Sequence, residues 1–295
     1  MAGASVIIVG GGPAGAMVAI LLARRGLPVT LIEQHRFPRD KVCGECISPL
    51  GIDVINRHAL GDRLRRRRPV LLTSTILYAP DGASVRIELP RPMWGLSRSA
   101  LDEELFTAAR EAGAQVLNPC RCEELIGGQR PRIVVRDLTD NSRRELDGSV
   151  VVVADGKAAW ATPRPAATAD LGLKAHFTGA LPAGDAIELF GVRGHYGGLA
   201  PVESGRWNVS FSVPAAMVGR SRGDLDELFS RIIHENVALQ RRLAGARRDG
   251  PWLAATLPRF AAMQRWPIGV VPAGNAAAAL EPVGGEGIGL ALRRA

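Results

Sequence analysis

The chain has 295 residues, 46% of them apolar and 22% charged, and a net charge of +8. That length can bury a large core in one or two domains. No run approaches the roughly 18 uncharged apolar residues of a membrane span.

The opening "MAGASVIIVGGG" carries no basic segment or cleavage site, so no signal peptide is expected. Cysteines at 43, 46, 120 and 122 form no disulfide framework in a chain this long. That points to a reducing, cytoplasmic setting. Positive charge is almost all arginine and is densest in "RLRRRRP", Arg63 to Pro69. Its plain reading is a solvated helix end. The sharper reading is peripheral contact between Arg63–Arg68 and an anionic membrane. Aromatics are only 5% and no nucleic-acid motif accompanies the run, so nucleic acid is discounted.

"SVIIVG" predicts a buried strand, "GGGPAG" a tight turn, and "AGAMVAILLARRG" a helix ended by Gly26. "PVTLIE" predicts a second strand, completing a β-α-β unit of about thirty residues. Two strands around a "PDG" turn are expected over Val70–Leu89. An amphipathic helix follows, with Ser99 as its expected N-cap. "RIVVRD" and "SVVVVADG" are further strands, and Leu173–Val213 alternates strands with glycine turns. Asp224–Gly245 predicts one helix, "IGVVPAGNAAAAL" a strand and turn, and "GGEGIGLALRRA" the start of another helix.

Gly10, Gly12 and Gly15 fit the GxGxxG pattern. Gly10 permits the turn, Gly12 lets a pyrophosphate approach the backbone, and Gly15 lets helix and strand pack. Pro13 and Ala14 complete the turn and offer the helix N-terminus to phosphate. Glu33, ending the second strand, can accept hydrogen bonds from a ribose, with Gln34 beside it. These residues predict dinucleotide binding and leave NAD or FAD open.

"KVCGECISP" holds Cys43 and Cys46 at CxxC spacing. A redox dithiol should follow a strand and open a helix, whereas this stretch is expected in a loop. A zinc site completed by Cys120 and Cys122 is disfavoured by their CxC spacing, and no metal is expected.

"VIIVGGGPAGAMVAILLARRGLPVTLIE", "LSRSALDEEL", "VVVADG" and "PAGNAAAALEPVGGEGIGLAL" occur in this order. Together they resemble geranylgeranyl-reductase-like FAD oxidoreductases of the p-hydroxybenzoate-hydroxylase and glutathione-reductase fold group. The resemblance implies an α/β fold: a Rossmann-like FAD-binding domain with an inserted, mainly antiparallel β-sheet substrate domain. The expected boundaries are 1–69, 94–165 and 260–295 for the FAD domain, with 70–93 and 166–259 for the substrate domain. It implies flavin contacts from Cys43, Gly44, Arg98, Asp155, Gly156, Asn275, Pro282, Gly285, Gly287 and Ile288. In this reading Cys43 and Glu45 border the flavin and substrate. Asn275 departs from the family's usual Asp and keeps an acceptor without the charge.

The implied activity is reduction of a carbon–carbon double bond in a hydrophobic isoprenoid, polyketide or aromatic substrate, with NAD(P)H as reductant. The alternatives are an FAD-dependent monooxygenase and a non-catalytic prenyl-lipid or prenyl-protein carrier on the same fold. "HYGGLAP" keeps the Tyr (Tyr196) and Pro (Pro201) of the reductases' Tyr-x-Trp-x-Phe-Pro motif. Gly198 and Ala200 stand where the family has large rings. His195, Tyr196 and Cys43 are the candidate catalytic side chains. A halogenase is disfavoured because the Trp-x-Trp-x-Ile-Pro motif is missing. The chain is expected to be short relative to this family at its carboxy terminus.

Overall fold

The computed structural model describes residues 5–156, 170–180, 184–192, 194–257 and 265–295. Strand Val6–Val9 (β1) turns into helix Pro13–Ala23 (α1), then strand Val29–Ile32 (β2). Strand Cys46–Ile47 (β3) precedes helices Pro49–Arg57 (α2) and Gly61–Arg65 (α3). The hairpin Val70–Tyr78 (β4) and Ser84–Gly95 (β5) leads to helix Arg98–Glu111 (α4). Strands Gln115–Leu117 (β6), Cys120–Ile126 (β7), Arg132–Asp137 (β8), Arg143–Asp147 (β9) and Val150–Val153 (β10) follow. Next come Leu171–Thr178 (β11), Ala186–Val192 (β12), His195–Pro201 (β13) and Trp207–Val213 (β14). Helices Ala215–Arg220 (α5), Leu225–His234 (α6) and Val237–Leu243 (α7) precede strands Arg247–Thr256 (β15) and Val270–Pro272 (β16), and then helix Gly287–Arg293 (α8).

The chain divides into two compact units. The first comprises Met1–Arg39, Ser99–Arg164 and Pro258–Ala295. Its parallel sheet runs β16-β10-β1-β2-β6. Continuous apolar strands such as VIIV and VVVV suit a parallel sheet covered on both faces. A small antiparallel sheet, β7-β8-β9, packs Cys120, Ile133 and Val135 into the core with Val151 and Val153.

The second unit comprises Asp40–Arg98 and Pro165–Leu257. Its sheet runs β15-β11-β14-β13-β12-β4-β5-β3, antiparallel apart from the β12–β4 pair. One face carries Leu173, Phe177, Phe190, Val209 and Phe211 against Leu228, Ile232, Leu239 and Leu243 from α6 and α7. The α/β class with an inserted, mainly antiparallel sheet is therefore as expected. The contacts group residues 40–69 and 94–98 with the second unit, because β3 pairs with Trp94 and Gly95 of β5.

Three local expectations need correction. The Asp224–Gly245 helix is two helices. Buried Asn236 accepts from the Leu239 N–H as the cap of α7 and donates to the Ala79 and Gly191 carbonyls. A side-chain cap of this kind contributes about 1 kcal/mol and restarts the helix. Helix α4 begins at Arg98, so Ser99 lies inside its first turn and is not the cap. "KVCGECISP" is also more than a loop: Cys46–Ile47 is a strand, and Pro49 opens α2 at the first helical position, which suits its fixed φ.

Candidate functional site

In the first unit, Gly10 adopts φ +106°, and a Cβ there would lie 2.5 Å from the Ala154 carbonyl oxygen. A Cβ on Gly15 would lie 1.9 Å from the Gly10 carbonyl oxygen. Glycine is thus required at the turn and at the helix–strand contact. Gly12 is the N-cap of α1 and offers no capping side chain, with Pro13 and Ala14 following. That leaves the positive end of α1 to an anion. Glu33, 4% exposed, turns back onto this loop. Its Oε2 accepts the Gly11 N–H at 2.8 Å and its Oε1 the His35 N–H at 2.7 Å. Each oxygen keeps a further lone pair for a ribose hydroxyl. Gln34 is exposed and accepts from Arg121 Nε at 3.0 Å.

Two other expected stretches, at Asp155 and at Asn275, adjoin the same turn. Ala154, against which Gly10 packs, immediately precedes Asp155 and Gly156, both half-buried, with Gly156 at φ +76°. A Cβ on Gly274 would lie 2.8 Å from Ala14 Cβ, which brings exposed Asn275 beside the start of α1. Pro282 opens a short 3₁₀ turn and Gly285 follows it at φ +69°. Gly287 and Ile288 begin α8, with Ile288 buried. Arg39 was not singled out from sequence. Its guanidinium lies 3.4 Å from buried Asp102, and its buried Nε has no partner among the described residues. The glycine loop, the ribose-ready carboxylate and this orphaned donor fit a flavin dinucleotide.

In the second unit the chemistry gathers on Glu45, which is fully buried at φ +59°. Its Oε1 accepts from Lys174 Nζ at 2.5 Å and from the Arg98 main-chain N–H at 2.7 Å. Its Oε2 lies 2.7 Å from His176 Nε2. Asp40 adds a second carboxylate, 3.5 Å from Lys174 Nζ and 3.8 Å from His176 Nδ1. Burial opposes the ionised form of Glu45. The His176 hydrogen bond and the Lys174 charge outweigh it and hold the carboxyl below its ordinary range. Asp40, Glu45 and His176 bring ligand atoms within 4.8 Å of one another, a spacing a metal could use. The Lys174 ammonium already supplies the cation there, so the group reads as an ion-pair cluster. It fixes the "CGEC" turn to Arg98. Asn208 adds a donation to the Cys43 carbonyl at 3.1 Å, and its buried Oδ1 has no partner among the described residues.

Strand alternation decides what else shares this face. Lys174 pairs with Ser210, Ser210 with Gly198, Gly198 with Leu189, Leu189 with Leu77, and Leu77 with Val85. One cross-strand row therefore runs from a buried charge cluster, through small residues, to exposed aliphatics. Tyr196 and Ala200 lie on the same face as Gly198. His195 lies on the opposite face, with Gly197 and Leu199, so the strand separates His195 from Tyr196. Cys43 is half-buried and Gly44 exposed, while Cys46 is buried. Burial, then the negative groups at Cys43 and Glu45, raise the Cys46 thiol pKa. All four cysteines are free.

Lys174 and His176 were missed because their partner Glu45 lies more than a hundred residues away in the chain. A Lys-x-His pair inside the apolar run "LGLKAHF" was the available signal: two cationic types on one face of a buried strand need a buried acid.

The family model described as an FAD binding domain matches residues 3–295. The menaquinone reductase of Mycolicibacterium smegmatis is 25% identical over 328 aligned residues, covering 98% of this chain and 74% of that protein. The menaquinone reductase of Mycobacterium tuberculosis is 29% identical over 162 residues, covering 52% of this chain and only 38% of that relative's length. The crystal structure of a geranylgeranyl bacteriochlorophyll reductase-like protein from Thermoplasma acidophilum superposes with TM-score 0.80 at 20% identity, covering 98% of this chain and 75% of that one. The kinship drawn from motif order thus holds, and the chain belongs to the FAD binding domain family of flavoproteins.

Proposed function

We propose that the protein is an FAD-dependent reductase that saturates a carbon–carbon double bond in a long apolar substrate bearing a polar head, with NADH or NADPH as electron donor. The observation that supports this most is the cross-strand row from Lys174 to Val85, which grades from charge to small to aliphatic side chains. Its polar end suits a carbonyl or hydroxyl head, and Leu189, Leu77 and Val85 suit a chain. Gly198 and Ala200 leave room where larger rings would crowd the row. Two of the relatives named above are menaquinone reductases by name, and another is named a digeranylgeranylglycerophospholipid reductase.

Bound FAD supplies the hydride chemistry. Gly10–Gly15 and Glu33 bind its nucleotide portion. Cys43, Gly44 and Arg98 are held in place by Glu45. Lys174 Nζ donates to the Glu45 carboxylate, His176 Nε2 stands 2.7 Å from it, and half-exposed Asp40 connects this cluster to solvent. The second hydrogen of a saturated double bond is a proton, and this cluster is the part of the second unit equipped to deliver one.

Anaerobic mixing of the FAD-loaded protein with NADH and with NADPH, followed by a polyprenyl quinone or by oxygen, tests donor and acceptor together. Bleaching by a nicotinamide cofactor and recolouring by the lipid supports the reading. Recolouring by oxygen alone, with oxygen incorporated into an added substrate, would replace it with a monooxygenase.

A further inference from the structure

We propose that Glu203 is a positioning residue for Arg98, acting with Glu45 to fix the stretch Leu96–Arg98 from which that guanidinium reaches the FAD. The inference rests on the reading of Arg98 as a flavin contact. Every contact it uses lies in the second unit. Two glutamates hold three consecutive main-chain N–H groups at the start of α4. The Glu45 carbonyl accepts from Leu96 at 3.0 Å, Glu203 Oε2 from Ser97 at 2.8 Å, and Glu45 Oε1 from Arg98 at 2.7 Å. The Ser97 hydroxyl adds a donation to Glu203 Oε1 at 2.5 Å. Ser97 and Glu203 are both buried, so these charge-assisted bonds are shielded from water.

A helix start ordinarily needs one local capping side chain. Here the carboxylates come from 53 residues away for Arg98 and 106 for Ser97. Burying two carboxylates is costly, and capping alone does not require it. What the pair adds is a fixed position for residue 98. The turn that carries Glu203 is shaped to the same end. Ser204 at φ +64° and Gly205 at φ +71° fold the chain back, and Val202 donates to the Arg206 carbonyl at 2.9 Å. A left-handed serine persists where its surroundings over-determine it. Arg206 Nη2 then donates to Glu203 Oε1 at 2.7 Å and holds the carboxylate from its other side. A Cβ on Gly95 would lie 2.0 Å from the Pro201 carbonyl oxygen, so glycine is what lets this turn approach Ser97. Pro201 ends β13, the strand of Gly198 and Ala200, so the turn joins the proposed substrate row to Arg98.

The test is titration of the full chain with FAD, followed by flavin fluorescence, for the native protein, Glu203→Ala, Arg98→Ala and the double variant. Native binding that Arg98→Ala weakens secures the flavin contact; loss of either result would overturn that reading and the inference together. Glu203→Ala should weaken FAD binding about tenfold. It should add little in the Arg98→Ala background, because the residue it positions is gone. Glu203→Gln, which keeps an acceptor for the Ser97 N–H, should restore most of the affinity. Additive losses in the double variant would overturn the positioning role and leave the flavin contact standing, as would unchanged FAD affinity in Glu203→Ala. Should Glu203→Ala fail to fold, Ser97→Ala enters the same cycle, with a loss of about threefold expected only where Arg98 is present.

Discussion

Lys174 and Glu45 form an ion pair at 2.5 Å in which neither side chain reaches solvent, Lys174 being 1% and Glu45 0% exposed. A buried pair of this kind is stable only while both members remain. Lys174→Met should therefore destabilise the fold by about 3–5 kcal/mol, and Glu45→Gln by a comparable amount. The double variant Glu45→Gln/Lys174→Met should recover part of the loss, because no uncompensated charge is left. Urea unfolding of all four proteins measures this; strictly additive losses would show that the two side chains do not act as a pair.

The same contact sets a pH dependence. The Glu45 pKa is lowered in the fold from the ordinary 4.5, so its stabilisation is full above that value and fades as pH falls through the folded value. Glu188 has the opposite sign: burial raises it despite the Arg242 partner, so acid removes no stabilisation there. The stability gap between the native chain and Glu45→Gln should be widest near neutral pH and close in acid. A gap independent of pH would contradict the ion-pair account.

At the glycine turn, space separates essential from replaceable positions. Gly15→Ala drives a methyl into the Gly10 carbonyl and should cost roughly 1–3 kcal/mol with loss of FAD retention. A Cβ on Gly44 meets nothing within 4 Å, so Gly44→Ala should fold and melt as the native chain does. Thermal melts with and without added FAD separate the two.

The thiols should differ in reactivity. Burial, then the nearby Asp155 charge, push the Cys122 thiol up to about 12, and burial raises Cys46 and Cys120 as well. Half-buried Cys43 should therefore be alkylated first near neutral pH, as peptide mapping would show. Earlier labelling of Cys46 would mean that the "CGEC" turn opens in solution.

The glycine turn, the acid ending β2 and the strand-rich inserted sheet were all legible in the sequence, because local spacing dictates them. The Glu45 cluster was only half legible. "CGEC" marked the turn, but Lys174 and His176 lie more than a hundred residues away, and only the β11 register brings them to Glu45. His195 and Tyr196 are neighbours on β13 and face opposite ways, so only Tyr196 shares the face of Gly198, which adjacency in the sequence does not reveal. Asn236 broke an expected helix because its amide satisfies carbonyls of a distant strand and turn, which no helical pattern records.

The most direct measurement is the product of a single anaerobic turnover of the reduced, FAD-loaded protein with a polyprenyl quinone. A lipid heavier by one pair of hydrogens, saturated at one double bond, is expected, with loss of that product in Lys174→Met. Recovery of the lipid unchanged while the flavin stays reduced would contradict it.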